Sequence, residues 1–242
     1  MALRITKTAI EVLALTNPNL RITKTAIEVL TGAAGGGSGI VVDPIYSLPA
    51  ITPTSSEWTF ASNARVSVSP ISQYVQTARR GPERWIVRLS FLKRSGVQRG
   101  QLQAFLAQLN GRRYTFTMRD HSYTRRGSGA GTPLVKGAGQ VGDELLTDGW
   151  TASAAGVLLA GDLVQVRNQL VMVTEDSNAD VGGNATLKVR PSIRYAPDDN
   201  STIQTATPLG RFRLASPEAT WSQGPGPIFS DFIFVCEEDV AA

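Results

Sequence analysis

With 242 residues, 42% hydrophobic and 18% charged, the chain can bury a sizeable core, which excludes a disordered or fibrous protein. It contains no apolar run near the roughly 18 residues of a membrane span and no signal-type h-region, so membrane insertion is not expected and a cytosolic origin, or release by lysis, is. The formal charge is +4, and a lone cysteine (Cys236) with a lone histidine (His121) excludes an internal disulfide and provides no metal-ligand spacing, so no metal or cofactor is expected.

The chain begins with a repeat. LRITKTAIEVL occupies residues 3–13, recurs letter for letter at 20–30, and is followed by GAAGGGSG. A period of 17 in two copies falls short of the roughly three or more units of 20–50 residues that a solenoid needs. The β-branched residues of each copy favour extended backbone, although Ile5, Ala9, Val12 and Leu13 also fit a helical stripe. Asn17-Pro18 interrupts any continuous helix. Residues 1–40 therefore read as an arm with a Gly-rich tether. Ile5, Ile10 and Val12, and again Ile22, Ile27 and Val29, would enter equivalent grooves on neighbouring subunits, the second copy binding at high effective concentration once the first has docked. The competing reading is a recent duplication without a partner.

Strands follow. In WIVRLSF, Trp85, Val87, Leu89 and Phe91 fall on one face and Arg88 and Ser90 on the other, the alternation of a half-buried strand, and residues 65–69 show the same period more weakly. After the turn KRSG, the segment VQRGQLQAFLAQLNG places Leu102, Phe105, Leu106 and Leu109 on one helical stripe and stops at Asn110-Gly111. Tyr114, Phe116 and Met118 then alternate again. This β-α-β block predicts a helix lying across an open side of a small barrel or sheet.

RRGSGAGTP at 125–133 marks a boundary. Beyond it AGVLLAGDLVQV, a turn at Arg167-Asn168-Gln169, LVMVTED, a GGN turn and ATLKVRP give strand signals every 8–12 residues, as in a small barrel or sandwich. The chain returns through GRFRLAS and ends with FSDFIFVCEED, too apolar for an edge strand. The expected fold is mainly β with one helix (α+β): a discontinuous hub domain at 41–130 plus 210–242, and an inserted β domain at 131–209.

Little in this chain reads as catalytic. Cys236 lies among Phe232, Phe234 and Val235 and reads as a buried inert thiol, while His121 lies in a polar loop leaving a strand. The doublets Arg79-Arg80, Arg112-Arg113 and Arg125-Arg126 could contact phosphates, but no aromatic residues are interleaved with them. They read as solvated loop arginines or as charge contacts to a neighbouring subunit. Asp143, Glu144, Asp162, Glu175 and Asp176 keep a hydrolase reading open, and Trp150 and Tyr195 keep open a glycan-binding one.

The run from Ala160 to Leu214, with its GDLVQ strand, DVGGNATL turn and PLGRFRL exit, resembles a segment of tail proteins from long-tailed bacteriophages. RWIVRLSFLKRSG ahead of LQAFLAQLNGR, with the apolar terminal strand, is similar to the hub domain of the distal tail protein family, the tail-tip hub or minor tail proteins of siphovirus-like phages. That family commonly lacks the leading forty residues, although similar tandem stretches look familiar from other phage virion proteins. The resemblance implies a non-enzymatic structural protein without cofactor, assembled in the host cytoplasm into the virion. It further implies a homo-oligomeric, hexameric ring joining the tail tube to the tip, with tube, hub and fibre proteins as partners and no nucleic acid as the main one. The alternatives are a glycan- or receptor-binding tail module and, below it, a cell-wall hydrolase.

Overall fold

The structure is a computed structural model, and it describes residues 43–79, 81–223 and 230–240. Alternation in the sequence becomes pairing first in β5 (Arg84–Arg94), where Trp85, Val87, Leu89 and Phe91 are buried. It recurs in β15 (Ser230–Glu238), which buries every second residue from Ser230 to Glu238. β15 lies inside its sheet, antiparallel to β5 on one side and to β13 (Gly210–Leu214) on the other. With β1 (Ile45–Ser47), β2 (Ser55–Ala61) and β6 (Thr115–Met118) the order is β1-β6-β13-β15-β5-β2, and β14 (Trp221–Gln223) also pairs with β15. This seven-stranded sheet curls into a half-barrel.

Helix α1 (Gly96–Leu109) turns its stripe of Leu102, Phe105, Leu106 and Leu109 onto the buried face, beside Phe116, Phe212 and Phe232. The Phe105 and Phe116 rings meet edge to face with centroids 5.2 Å apart. Asn110 ends the helix in the left-handed region (φ 48°), its N–H bonded to the Ala107 carbonyl oxygen at 3.2 Å.

The second sheet uses β7 (Gly131–Val135), β8 (Gly142–Trp150), β9 (Leu163–Val166), β10 (Gln169–Val173), β11 (Ala185–Ile193) and β12 (Ile203–Gln204), in the order β12-β9-β10-β11-β8-β7. Its two ends nearly meet: the Val135 N–H donates to the Ser201 carbonyl (3.0 Å) and the Asn200 N–H to the Val135 carbonyl (2.9 Å), leaving an almost closed barrel. The turn between β9 and β10 is two residues, with Arg167 at φ 54°, and Gln169 already belongs to β10. β10 serves both cores. Val171 and Val173 fill the barrel, whereas Leu170, with Leu163 of β9, completes the core under the half-barrel. The two sheets share one compact unit, Asp43–Ala242.

One ribbon stands apart. β3 (Ala64–Val68) and β4 (Val75–Arg79) pair only with each other, from Ala64 opposite Arg79 to Val68 opposite Val75. The two-residue period at 65–69 does give a strand, but not a half-buried one, because no other layer of the described chain covers either face and residues 64–68 are all exposed. Val66, Val68 and Val75 share one face by register, and at the tip Ile71 is 95% and Tyr74 76% exposed.

Candidate functional site

The densest polar constellation is built on the end of β15. Its three consecutive acids each find arginines. Glu237 is bridged by Arg84 (3.2 Å) and Arg112 (2.5 Å), Glu238 by Arg194 (2.6 Å), and Asp239 by Arg211 (2.8 Å) and Arg213. Glu238 is 1% exposed, and its second oxygen accepts the Trp85 N–H at 3.3 Å. Burial, opposed by Arg194, holds its carboxyl above the ordinary glutamate value. Arg194 comes from the chain just after β11 and also donates to the Glu83 carbonyl (2.8 Å), while Arg190 pairs with Glu83 (3.1 Å) and Asp143 (2.8 Å). Together with the Trp85 indole N–H, which donates to the Leu170 carbonyl at 2.9 Å, these bonds fasten barrel to half-barrel. The arrangement can hold two sheets in one orientation; it presents no free nucleophile.

A second constellation fixes the segment entering the barrel. The fully buried Asp162 carboxylate accepts the N–H groups of Arg126 (2.8 Å), Gly127 (2.9 Å) and Leu159 (2.9 Å). Three backbone donors offset the burial of its charge. Gly127 is obligatory for space: a Cβ there would lie 2.6 Å from Leu158 Cα and Val157 O.

On the barrel a shallow groove is lined by Lys136, Leu146, Asn178, Asp180, Asn184 and Thr186, among others. Leu146 is 48% exposed. Asp180 accepts the backbone N–H groups of Asn184 and Gly182, each at 2.8 Å. The hydrogen bonds from Asn184, backbone first, keep its carboxyl below the ordinary range, and the Lys136 ammonium, which donates to Asn184 Oδ1 at 2.8 Å, places a positive charge on the same rim.

The arm residues Ile5, Ile10, Val12, Ile22, Ile27 and Val29 lie outside the described residues, as does Arg80. Arg79 ends β4. Arg112 serves Glu237 of its own chain, and Arg113 stands over the Tyr114 ring at 5.0 Å. Arg125 donates to Thr205 Oγ1 (2.9 Å) and to the carbonyls of Gly127 and Ser128, and Arg126 contributes its backbone N–H to Asp162. Arg112, Arg113 and Arg125 thus have side-chain partners within their own chain.

Sequence reasoning missed the acidic triplet. Its signal was present in EED closing an alternating strand and in the spaced arginines of GRFRL, but the pairs join residues far apart in the chain.

The other candidates are committed elsewhere. Cys236 is buried, its thiol pushed far up by desolvation and its Sγ 3.3 Å from the Val87 carbonyl. Burial and then Arg119 lower the His121 imidazole. Trp150 is 4% exposed with its indole N–H on Thr147 Oγ1 (2.7 Å), so its ring offers no open stacking platform, whereas Tyr195 is half-buried with its hydroxyl donating to the Val240 carbonyl (2.6 Å). Among the carboxylates, Asp143 meets Arg190, Glu144 meets Lys188, and Asp176 accepts the Ala160 N–H at 2.8 Å. Among the described residues no three His, Cys, Asp or Glu side chains group as a metal site, and no helix is long and apolar enough to cross a membrane. The sequence matches no protein-family model and no curated protein.

Proposed function

We propose that the chain is a structural protein of the distal tail of a long-tailed bacteriophage, forming a ring that connects the tail tube to the host-binding tip. The observation that carries this reading is the β3–β4 ribbon, which presents Val66, Val68 and Val75 on one face and Ile71 and Tyr74 at its tip, all exposed. Two strands alone are marginal in water, and an apolar ribbon face gains its stability from a covering layer. A stiff body fastened through the terminal acidic triplet, with an uncovered ribbon, suits a component whose work is assembly. The repeats at 3–13 and 20–30 act as additional docking segments on neighbouring subunits or tail proteins. The resemblance of Ala160 to Leu214 and of the β-α-β block to distal tail proteins supports the same reading.

Light scattering on size-fractionated full-length protein tests it. A defined multi-subunit species that loses subunits when residues 1–31 are deleted is expected. A chain that stays monomeric at every concentration and is retained on a host-glycan column replaces the ring with the binding-module reading.

A further inference from the structure

The seven-stranded sheet has one long open edge. Its outer strands are β1 and β14, three residues each, and β2, seven residues. Register fixes which way the β2 backbone points. Val235 gives its carbonyl to the Ala215 N–H on the β13 side, so Phe234 and Leu89 bond to each other across β15 and β5. Ser90 then faces the other way, toward β2, and its carbonyl accepts the Thr54 N–H at 2.7 Å. Alternation directs the main-chain groups of Ser55, Glu57 and Thr59 at β5 and those of Ser56, Trp58 and Phe60 out of the sheet. Among the described residues no backbone group bonds to these three. Open edges are ordinarily blunted by lysine, proline or a bulge, yet SSEWTFA has neither residue and pairs with β5 without a register shift from Ser55 to Ala61.

The inner face of β2 is also short of cover. The Phe60 ring meets Trp85 edge to face (5.2 Å) but is 40% exposed, and Trp58 is half-buried, whereas their partners in β5, Trp85 and Val87, are 6% and 0% exposed. One more strand beside β2 would supply main-chain partners for the three outward residues and set two side chains, spaced i and i+2, against Trp58 and Phe60.

The chain carries such a segment twice. Each copy of LRITKTAIEVL is longer than the edge, contains no proline or glycine, and has two β-branched residues at that spacing, Ile10 and Val12 in the first copy and Ile27 and Val29 in the second. Residues 31–42, which join the second copy to the body, span up to roughly 40 Å when extended, enough to reach beyond the body that carries them. Resting on the ring reading above, we infer that one copy of LRITKTAIEVL adds as a strand to the β2 edge of a second copy of this chain, with Ile10 and Val12, or Ile27 and Val29, against Trp58 and Phe60. Two equal segments serve one edge, and the duplication raises its occupancy through effective concentration without needing a second kind of site.

Photo-cross-linking of the full-length chain tests it. A chain with p-benzoylphenylalanine in place of Thr59, an exposed side chain of β2, is mixed with an excess of 15N-labelled wild type and irradiated. It is expected to capture 15N-labelled peptides from residues 3–13 or 20–30. Ser56→Pro removes one outward N–H and leaves the β2–β5 ladder intact, as proline on an edge strand allows. It is expected to raise the concentration needed for assembly by about tenfold, with circular dichroism and melting unchanged. Capture of the unlabelled chain's own arm alone, or of other segments alone, overturns the inference, as does normal assembly of Ser56→Pro. Should Ser56→Pro lower the melting temperature, the cross-link decides by itself. If wild type assembles and loses subunits on deletion of residues 1–31 while neither readout responds, the arm docks elsewhere and the ring reading survives. A wild type that stays monomeric at every concentration defeats both.

Discussion

Glu238 shows what a buried charge costs when its partner is taken away. Removing the Arg194 guanidinium leaves a carboxylate that is 1% exposed with only backbone donors, from Trp85 and Leu170, and no countercharge of its own. Arg194→Met should therefore lower unfolding stability by about 3–5 kcal/mol, measured by urea titration near neutral pH. The pH dependence has a definite sign. The folded-state carboxyl is raised above its unfolded value of about 4.3, so between the two values the folded chain holds more protons than the unfolded chain. In that window stability falls as pH rises, the reverse of a salt-bridged surface acid. Subtracting the urea midpoints of Glu238→Gln from those of wild type at successive pH values should expose this downward slope; a rising difference would contradict it. Gly127→Ala should cost about 1–3 kcal/mol, because the added methyl meets backbone atoms that cannot swing away, and a drop in melting temperature reads it. None of these residues announces its role in the sequence. The glycine sits in a Gly-rich stretch that reads as a boundary, and the acids close a strand whose apolar residues dominate the pattern.

Elements were far more legible than partners. The stripe Leu102, Phe105, Leu106, Leu109 and the stop at Asn110 predicted α1 because helical spacing and a left-handed C-cap are local facts. Leu106→Ala should destabilise by about 2–5 kcal/mol, while Ala104→Ser on the exposed side of the same helix should leave the denaturant midpoint within error. The inner position of β15 was equally readable, since Phe232, Phe234 and Cys236 leave no side suited to an edge. The ribbon was not. A period of two identifies extended backbone, but says nothing of whether another layer covers it. Trp150 was illegible for a related reason: an aromatic near a turn reads the same whether its ring finishes a core or faces solvent, and here the ring joins the barrel core with its indole N–H on a threonine hydroxyl.

At the level of the whole molecule, Leu163 and Leu170 belong to the barrel strands but complete the other sheet's core, and the arginine clasp crosses the same junction. The two sheets should therefore unfold together. Scanning calorimetry on the full chain is expected to give a single transition for both, with calorimetric and van't Hoff enthalpies in agreement, and Leu170→Ala should shift that transition without splitting it. Two resolved peaks would show the junction to be weaker than its contacts imply.

The interior place of β15 also sets an order of events at the ribosome. All six barrel strands leave the exit tunnel before the strand that must slide between β13 and β5, so the barrel can mature while the earlier half waits with Phe91 and Leu89 unsheltered. A stalled or prematurely terminated message would release a polypeptide with one finished half and one sticky half, and nascent copies would depend on holdase chaperones throughout that interval.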